Sequence, residues 1–426
     1  MLIFRKIIAF IFICVLHTQA WQPFHIEELN RYQNYEFDFR EIDNRAMNLP
    51  VNNQNRGILT HNVVGYLPYW EYYQYPDFNY ELLSEINFFS AELGSNGDIV
   101  NSHNWENLSI VEFVHARGVK IKLCATLFGQ SQLTTLLSDS LNRDNAIQNL
   151  VAMVTSKNAD GLDIDFELLP YSQRDNLVLF MEELSTLLHN EMDNPIITMA
   201  TPAVDWSNAW DYNALANITD GLFIMGYNYF YSGSSTAGPV SPLGGYYYDI
   251  DYTVQDYIDK TNGQLDKLIL GLPYYGYDWP VVNNNINSET TGSGSARFYS
   301  DAQEMSESYD YSFDYLSNSP WFSYNINNWQ QCWYDDSLSI STKYQYAKET
   351  DLKGIGIWAL GYDEGRNELW GAIDEQFYSE LLGDLNDDQI VNVLDVILLV
   401  NMILGLSPLQ FNSDVNGDTS VDVLDI

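Results

Sequence analysis

Residues 160–167 read Asp160-Gly161-Leu162-Asp163-Ile164-Asp165-Phe166-Glu167. Acids recur at every second position, a spacing that puts Asp163, Asp165 and Glu167 on one face of an extended strand and Leu162, Ile164 and Phe166 on the other. Successive carboxylates on that face start roughly 6 to 7 Å apart at their Cα atoms. Acids crowded in this way raise one another's pKa, so at least one can hold a proton near neutral pH and serve as a general acid. A calcium loop also spaces acids at positions 1, 3 and 5, but it needs Gly at position 6 and an acid at position 12. Counted from Asp163, those positions are Leu168 and Arg174, which excludes calcium here. A solvated acidic edge would not need Leu, Ile and Phe so regularly on its other side.

A second group of acids, near the C-terminus, does have the calcium spacing. Residues 383–426 contain eight Asp and no Lys or Arg. Two segments repeat there, and oxygen ligands at positions 1, 3, 5, 9 and 12 with a backbone carbonyl at 7 are what Ca²⁺ coordination requires. In the first repeat these are Asp384, Asn386, Asp388, Asn392 and Asp395, with the carbonyl of Ile390. In the second they are Asp414, Asn416, Asp418, Asp422 and Asp425, with the carbonyl of Ser420. Gln389 and Thr419 stand where Gly usually makes the turn. An acidic disordered tail is a poor alternative, because Val393 to Leu404 is a strongly apolar helical run ending at Gly405. The second repeat stops at Ile426, where its helix should begin, so the module as written is expected to be incomplete and to expose Val396 to Leu404.

The elements that must position the first group follow from the rest of the chain. From Val63 onward, short apolar runs alternate with helical stretches, the pattern of a parallel α/β architecture. The predicted strands are Val63 to Trp70, Ile86 to Leu93, Val119 to Leu127, Gly161 to Glu167, Ile196 to Pro202, Gly221 to Tyr227, Leu268 to Tyr274 and Ile355 to Leu360. Eight such strands suit a (β/α)8 barrel, whose active sites form at the C-terminal ends of the strands. The acidic strand is the fourth. Pro280 to about Tyr334 is too long for a routine loop and is expected to be an insertion between strands seven and eight, walling one side of the cleft.

The chain has 426 residues, enough for one barrel and a small module. With 58 acids against 19 bases, its formal net charge of -39 makes nucleic acid and anionic lipid poor partners and a neutral polymer a better one. Arg5 and Lys6, the apolar run Ile7 to Leu16 and Thr18-Gln19-Ala20 form an export signal, with cleavage expected after Ala20. Residues 21–57 show no sustained period and are expected to pack on the barrel or stay mobile, with no chemistry assigned. Cys124 and Cys332 remain after cleavage, and buried free thiols are expected rather than a disulfide.

The motif Asp-Gly-x-Asp-x-Asp-x-Glu at 160–167 resembles the strand-four signature of the family-18 glycoside hydrolases, the chitinase family. Met225-Gly226-Tyr227-Asn228 resembles that family's strand-six M-x-Y-D, with Asn228 in place of Asp. Gly271-Leu272-Pro273-Tyr274-Tyr275-Gly276-Tyr277-Asp278-Trp279 is similar to its G-x-P-x-Y-G-R-x-W, and Gly354-Ile355-Gly356-Ile357-Trp358-Ala359-Leu360 to its last strand. Strand three departs, with Ala125-Thr126-Leu127-Phe128-Gly129 where the family often has S-x-G-G. The resemblance implies an α/β TIM barrel that needs no catalytic cofactor. It implies Glu167 as the acid, Asp165 as the residue orienting the substrate's acetamido group, Asp163 as its inner partner and Tyr227 as the hydroxyl steering the acetamido carbonyl. Trp358 would form the floor under the cleaved sugar, with Met225, Asn228, Tyr66 and Trp279 as further substrate-binding candidates; Tyr69, Trp70 and Trp206 are weaker ones. The C-terminal repeats resemble a dockerin, an EF-hand-like helical module that binds cohesins.

The chain is thus expected to comprise a signal peptide at 1–20, an extension at 21–57, a barrel at 58–380 and dockerin-like calcium repeats at 383–426. The expected function is a secreted or cell-surface glycosidase cleaving β-1,4-linked N-acetylglucosamine polymers, chitin or chito-oligosaccharides, with retention and with the substrate's own acetamido group as nucleophile. The alternatives are the same chemistry on peptidoglycan or N-glycan cores, and a non-catalytic chitin-binding barrel. A cohesin-like or cell-surface partner is expected through the repeats.

Overall fold

The computed structural model describes residues 23–50, 58–379, 382–386, 391–416, 418 and 420–426. The export signal at 1–20, and Asp388 and Ile390 of the first acidic repeat, lie outside the described residues.

Eight parallel strands close into a barrel: Asn62–Pro68, Glu85–Leu93, Lys120–Phe128, Gly161–Glu167, Ile196–Pro202, Gly221–Met225, Leu268–Pro273 and Gly354–Trp358. Each pairs with its neighbours in sequence order, and the first pairs with both the second and the eighth. Apart from the acidic inner face of the fourth, the strands are largely apolar because both of their faces are covered, one by the barrel interior and one by helices. Close packing inside is bought with missing side chains: a Cβ on Gly356 would fall 1.9 Å from the Phe223 ring that fills the interior. A two-stranded antiparallel pair, Ile58–Leu59 with Tyr378–Ser379, fastens the two ends of the barrel unit together.

The insertion between strands seven and eight is a folded unit that begins earlier than the sequence suggests. Its five-stranded antiparallel sheet runs Ser295–Phe298, Tyr275–Pro280, Trp329–Trp333, Ser319–Asn325 and Asp310–Asp314, with helix Tyr299–Ser306 beside it. The aromatic run that ends in Trp279 is therefore the first strand of this sheet rather than an extension of strand seven.

Residues 24–47, which lack a visible period, form two helices, Phe24–Tyr32 and Phe39–Met47. The second is pinned by one buried side chain: Asp43 accepts hydrogen bonds from Tyr72 (2.5 Å), Tyr75 (2.9 Å) and the Ser109 backbone N–H (2.9 Å). In the C-terminal module helix Val393–Ile403 is capped by Asn392 and ends at Gly405, whose φ of +71° favours glycine. Leu385, Leu399 and Met402 form its small separate core, and Val393, Leu394 and Ile397 are exposed. Cys124 and Cys332 are both free and buried. Among the described residues no helix is long and apolar enough to cross a membrane.

Candidate active site

Strand four enters the barrel through Gly161, where a Cβ would lie 1.8 Å from the Ile196 carbonyl oxygen. From there its two faces separate as the alternation requires. On the outer face Phe166 meets Phe180 of helix Arg174–Glu191, with ring centroids 5.3 Å apart. On the inner face Asp163 is fully buried and accepts hydrogen bonds from Tyr66 (2.6 Å) and Thr198 (2.5 Å). Thr198 in turn accepts from Lys122 at 2.8 Å, and Lys122 pairs with Glu85 at 2.6 Å. Burial raises the pKa of Asp163, opposed chiefly by the Lys122 ammonium. A single buried cation thus sits beneath the acidic ladder, and three strands hold it there.

Asp165 and Glu167 carry the ladder to the rim. Both are buried; Asp165 Oδ1 has no hydrogen-bond donor among the described residues, and Glu167 Oε1 has only the Nδ1 of His25 at 3.2 Å. Burial, and then the charge of Asp165, raise the pKa of Glu167 to about 7, against a smaller opposing pull from His25. Tyr227, just past strand six, is buried among these acids, and its hydroxyl pKa is pushed well up by burial and by the charge of Asp165. Asn228 follows with φ of +61°, a left-handed conformation that Asn tolerates better than most residues. Its Oδ1 accepts a hydrogen bond from Tyr275 at 2.6 Å.

The remaining sequence candidates fall in three places. Glu167, Met225, Tyr227 and Asn228 line one cleft of about 560 Å³, a size suited to a small-molecule site. Trp358 is buried beside it under His25. Tyr66 lies below the rim, holding Asp163 rather than facing the cleft. Trp279 is packed in the insertion, where its indole N–H donates to the Tyr231 carbonyl at 3.2 Å. Trp206 is 69 % exposed and meets Tyr248 edge-on at 4.7 Å on the open side of the cleft. Tyr69 and Trp70 are buried under the first helix, where Tyr69 donates to the Tyr32 carbonyl at 2.7 Å and the Trp70 and Tyr32 rings stack at 4.7 Å.

The residue that sequence reasoning missed is His25. Its ring stacks on Trp358 at 3.7 Å, its Nδ1 donates to Asp165 Oδ2 at 2.7 Å and lies 3.2 Å from Glu167 Oε1, and its Nε2 is 3.0 Å from the Tyr227 hydroxyl. Burial works against its charge, but Asp165 and Glu167 outweigh that and hold its pKa up to about 10. The nearest ligand atoms of His25, Asp165 and Glu167 lie within 4.8 Å of one another, close enough for one cation. As it stands in the structure, the cluster has the geometry of an ion pair between the ring and the two carboxylates. A signal was present in the sequence: Phe24, Glu28 and Tyr32 recur four apart, beside His25.

The C-terminal loops repeat each other in detail. Asp395 accepts from the backbone N–H groups of Leu385 (2.8 Å), Asn386 (3.2 Å) and Asn392 (2.8 Å). Asp425 accepts from Val415 (2.8 Å), Asn416 (3.2 Å) and Asp422 (2.8 Å). In each repeat backbone N–H groups thus converge on the twelfth residue, and the candidate donors are all oxygen, which fits a hard cation such as Ca²⁺.

Comparison with known proteins agrees with this geometry. The model of Glycosyl hydrolases family 18 matches residues 62–363, and that of the Dockerin type I domain matches residues 382–426. The cortical fragment-lytic enzyme of Bacillus subtilis (strain 168) is 27 % identical over 306 residues, which is 69 % of this chain and 68 % of that protein. Di-N-acetylchitobiase of Mus musculus is 24 % identical over 320 residues, covering 64 % of this chain and 84 % of the relative. A family 18 chitinase from Cycas revoluta, solved with (GlcNAc)3, shares the fold at a TM-score of 0.68 and 21 % identity, over 74 % of this chain and 99 % of that one. This chain belongs to glycosyl hydrolase family 18, a glycoside hydrolase whose barrel is followed by a type I dockerin domain.

Proposed function

We propose that the protein hydrolyses β-1,4-linked N-acetylglucosamine polymers, chitin or chito-oligosaccharides, with retention of configuration and with the substrate's acetamido group as the nucleophile. The observation that carries this reading is Glu167: one buried carboxyl on the cleft, with its pKa raised to about 7, joined among the described residues lining the cleft by only one other carboxylate, Asp205. The nearest rival, Asp205, has its oxygens taken by the backbone N–H groups of Ala209 (3.1 Å) and Trp210 (3.1 Å) and by the Ser207 hydroxyl (3.0 Å). A retaining glycosidase without an enzyme nucleophile must recruit one from the substrate.

In this reading Glu167 gives its proton to the leaving oxygen as the acetamido carbonyl attacks the anomeric carbon. The unpaired Oδ1 of Asp165 accepts the acetamido N–H and its charge stabilises the oxazolinium ion, while the Tyr227 hydroxyl donates to the acetamido carbonyl. Glu167, now a carboxylate, then takes a proton from water as the water oxygen attacks the anomeric carbon and the oxazolinium C1–O bond breaks, restoring the acetamido group. Trp358 supplies an apolar floor that suits the C–H face of the sugar. The relatives support the substrate class: one is a di-N-acetylchitobiase and one was solved with an N-acetylglucosamine trimer.

The acidic repeats are proposed to bind Ca²⁺ through Asp384, Asn386, Asp388, Asn392, Asp395 and the Ile390 carbonyl in one loop and Asp414, Asn416, Asp418, Asp422, Asp425 and the Ser420 carbonyl in the other, and to tether an exported enzyme to a cohesin-like or cell-surface partner. A second reading of the barrel, the same chemistry on peptidoglycan or N-glycan cores, is kept open by the higher identity to a bacterial lytic enzyme than to the chitobiase. The test is product mass and anomeric form after incubation with N-acetylglucosamine oligomers, beside the Glu167→Gln variant. Cleavage that is lost in the variant supports the proposal. Tight binding without cleavage would favour the non-catalytic reading, and neither binding nor cleavage would turn the search to peptidoglycan and N-glycans.

A further inference from the structure

We infer that the helix Phe24–Tyr32 is an intramolecular ligand that closes the sugar-binding cleft, so that the chain as folded is the shut form of the enzyme. This rests on the reading of the cleft as a sugar site. The helix lies outside the residues that match the family, 62–363, and is therefore an addition to the barrel rather than part of its wall.

One face of the helix addresses the mouth residue by residue. Phe24 stacks on Tyr275, with ring centroids 3.8 Å apart and planes 7° from parallel. His25 covers Trp358 at 3.7 Å and engages Asp165 and Tyr227, while standing at ion-pair distance from Glu167. Glu28 accepts from the Trp358 indole N–H at 3.3 Å and from the Tyr362 hydroxyl. Tyr32 stacks on Trp70 at 4.7 Å.

These are the contacts a bound N-acetyl sugar would make. The flat ring lies on the indole as a pyranose would, Nδ1–H meets the carboxylate proposed to take the acetamido N–H, and Nε2 takes the hydroxyl proposed to steer the carbonyl. His25 and a sugar on Trp358 compete, because both need the indole that His25 covers and the Tyr227 hydroxyl that its Nε2 holds. The opposite half of the cleft, toward Trp206 and Tyr248, stays open, with Phe24 and His25 as its end wall.

The helix is built to leave without unfolding the barrel. It is a single element of 9 residues, and residues 33–36, between it and the helix Phe39–Met47, are exposed. The following helix is fastened separately through Asp43, so the first can swing away while the second stays docked. A closed population ten times the open one weakens apparent sugar affinity about tenfold, since only the open fraction binds.

The experiment uses the full chain with a site-specific protease sequence in place of residues 33–36, assayed before and after cutting, together with the Phe24→Ala/His25→Ala double variant. Hydrogen exchange across 24–32 is read in the uncut chain, and kcat/KM is read on the N-acetylglucosamine tetramer. The expected result is slow exchange in the uncut chain and a rise in kcat/KM of at least tenfold on cutting or in the double variant. Exchange at unfolded rates in the uncut chain overturns the inference, as does an unchanged or lower kcat/KM after the helix is released. If 24–32 is protected but no form binds or cleaves any N-acetyl sugar, the occlusion stands and the substrate reading falls.

Discussion

At Glu167 the same burial that makes a carboxyl costly to ionise makes it useful. A general acid must arrive protonated, and a pKa of about 7, raised by burial first and by Asp165 second, keeps it so through mildly acidic and neutral pH. In the chain with the helix Phe24–Tyr32 cut away, where His25 no longer competes for the site, the rate should therefore fall as pH rises above neutral, and a kcat/KM profile of that form from pH 5 to 9 with no alkaline limb would count against Glu167 as the acid. Glu167→Gln keeps the shape and removes the proton, and general acid–base catalysis of this kind is worth about 10² to 10⁴ in rate. Steady-state assays on the tetramer should show a loss on that scale with thermal stability within a few degrees of the parent. The acidic ladder was readable from its alternation alone, because a period of two with acids on one face has few other physical meanings. What could not be read was how the ladder is supported: Lys122, Thr198 and Tyr66 come from three other strands, and only barrel closure brings them under Asp163.

At the scale of elements, the strands are legible because a parallel strand covered on both faces is apolar along most of its length, and the fourth, with acids on its inner face, stands out by its alternation instead. The insertion was legible as excess length but not as a sheet. Tyr275–Pro280 pairs with Trp329–Trp333 across some fifty residues, and no local pattern records such a pairing. The helix Phe24–Tyr32 escaped for a different reason. A helix that packs on a hydrophobic core shows an apolar stripe, but this one packs on indoles, phenols and carboxylates, so its buried face holds His25 and Glu28 as well as Phe24. Its docking should depend on pH in a direction set by His25. The ring titrates at 6.5 when free and at about 10 when docked, so protonation favours the docked state. That stabilisation is fully present below pH 6.5 and is lost as pH rises through 10. The groups facing the ring are Asp165 and Glu167 from strand four and Tyr227 past strand six, with Glu28 one turn along its own helix. The Tm difference between the parent and His25→Ala should be largest near pH 6 and shrink toward pH 10; a difference that grows with pH would contradict the assignment.

On the scale of the whole molecule, the barrel and the acidic repeats are stabilised by different means. The barrel has a continuous core, whereas among the described residues of the repeats Leu385, Leu399 and Met402 form the buried apolar cluster, and backbone N–H groups converge on Asp395 and Asp425. Removing Ca²⁺ with a chelator should abolish hydrogen-exchange protection across 393–403 and leave the barrel's thermal transition in place; equal protection with and without Ca²⁺ would contradict a metal-supported module. The covalent tie between the helix Phe24–Tyr32 and its barrel has one further consequence, which concerns dilution. An inhibitor carried on a separate chain leaves its target when the mixture is thinned, but one fixed by a short turn has a local concentration set by geometry alone. The specific activity of the uncut chain should therefore be suppressed to the same degree at nanomolar and micromolar enzyme, and recovery on dilution would contradict an intramolecular ligand.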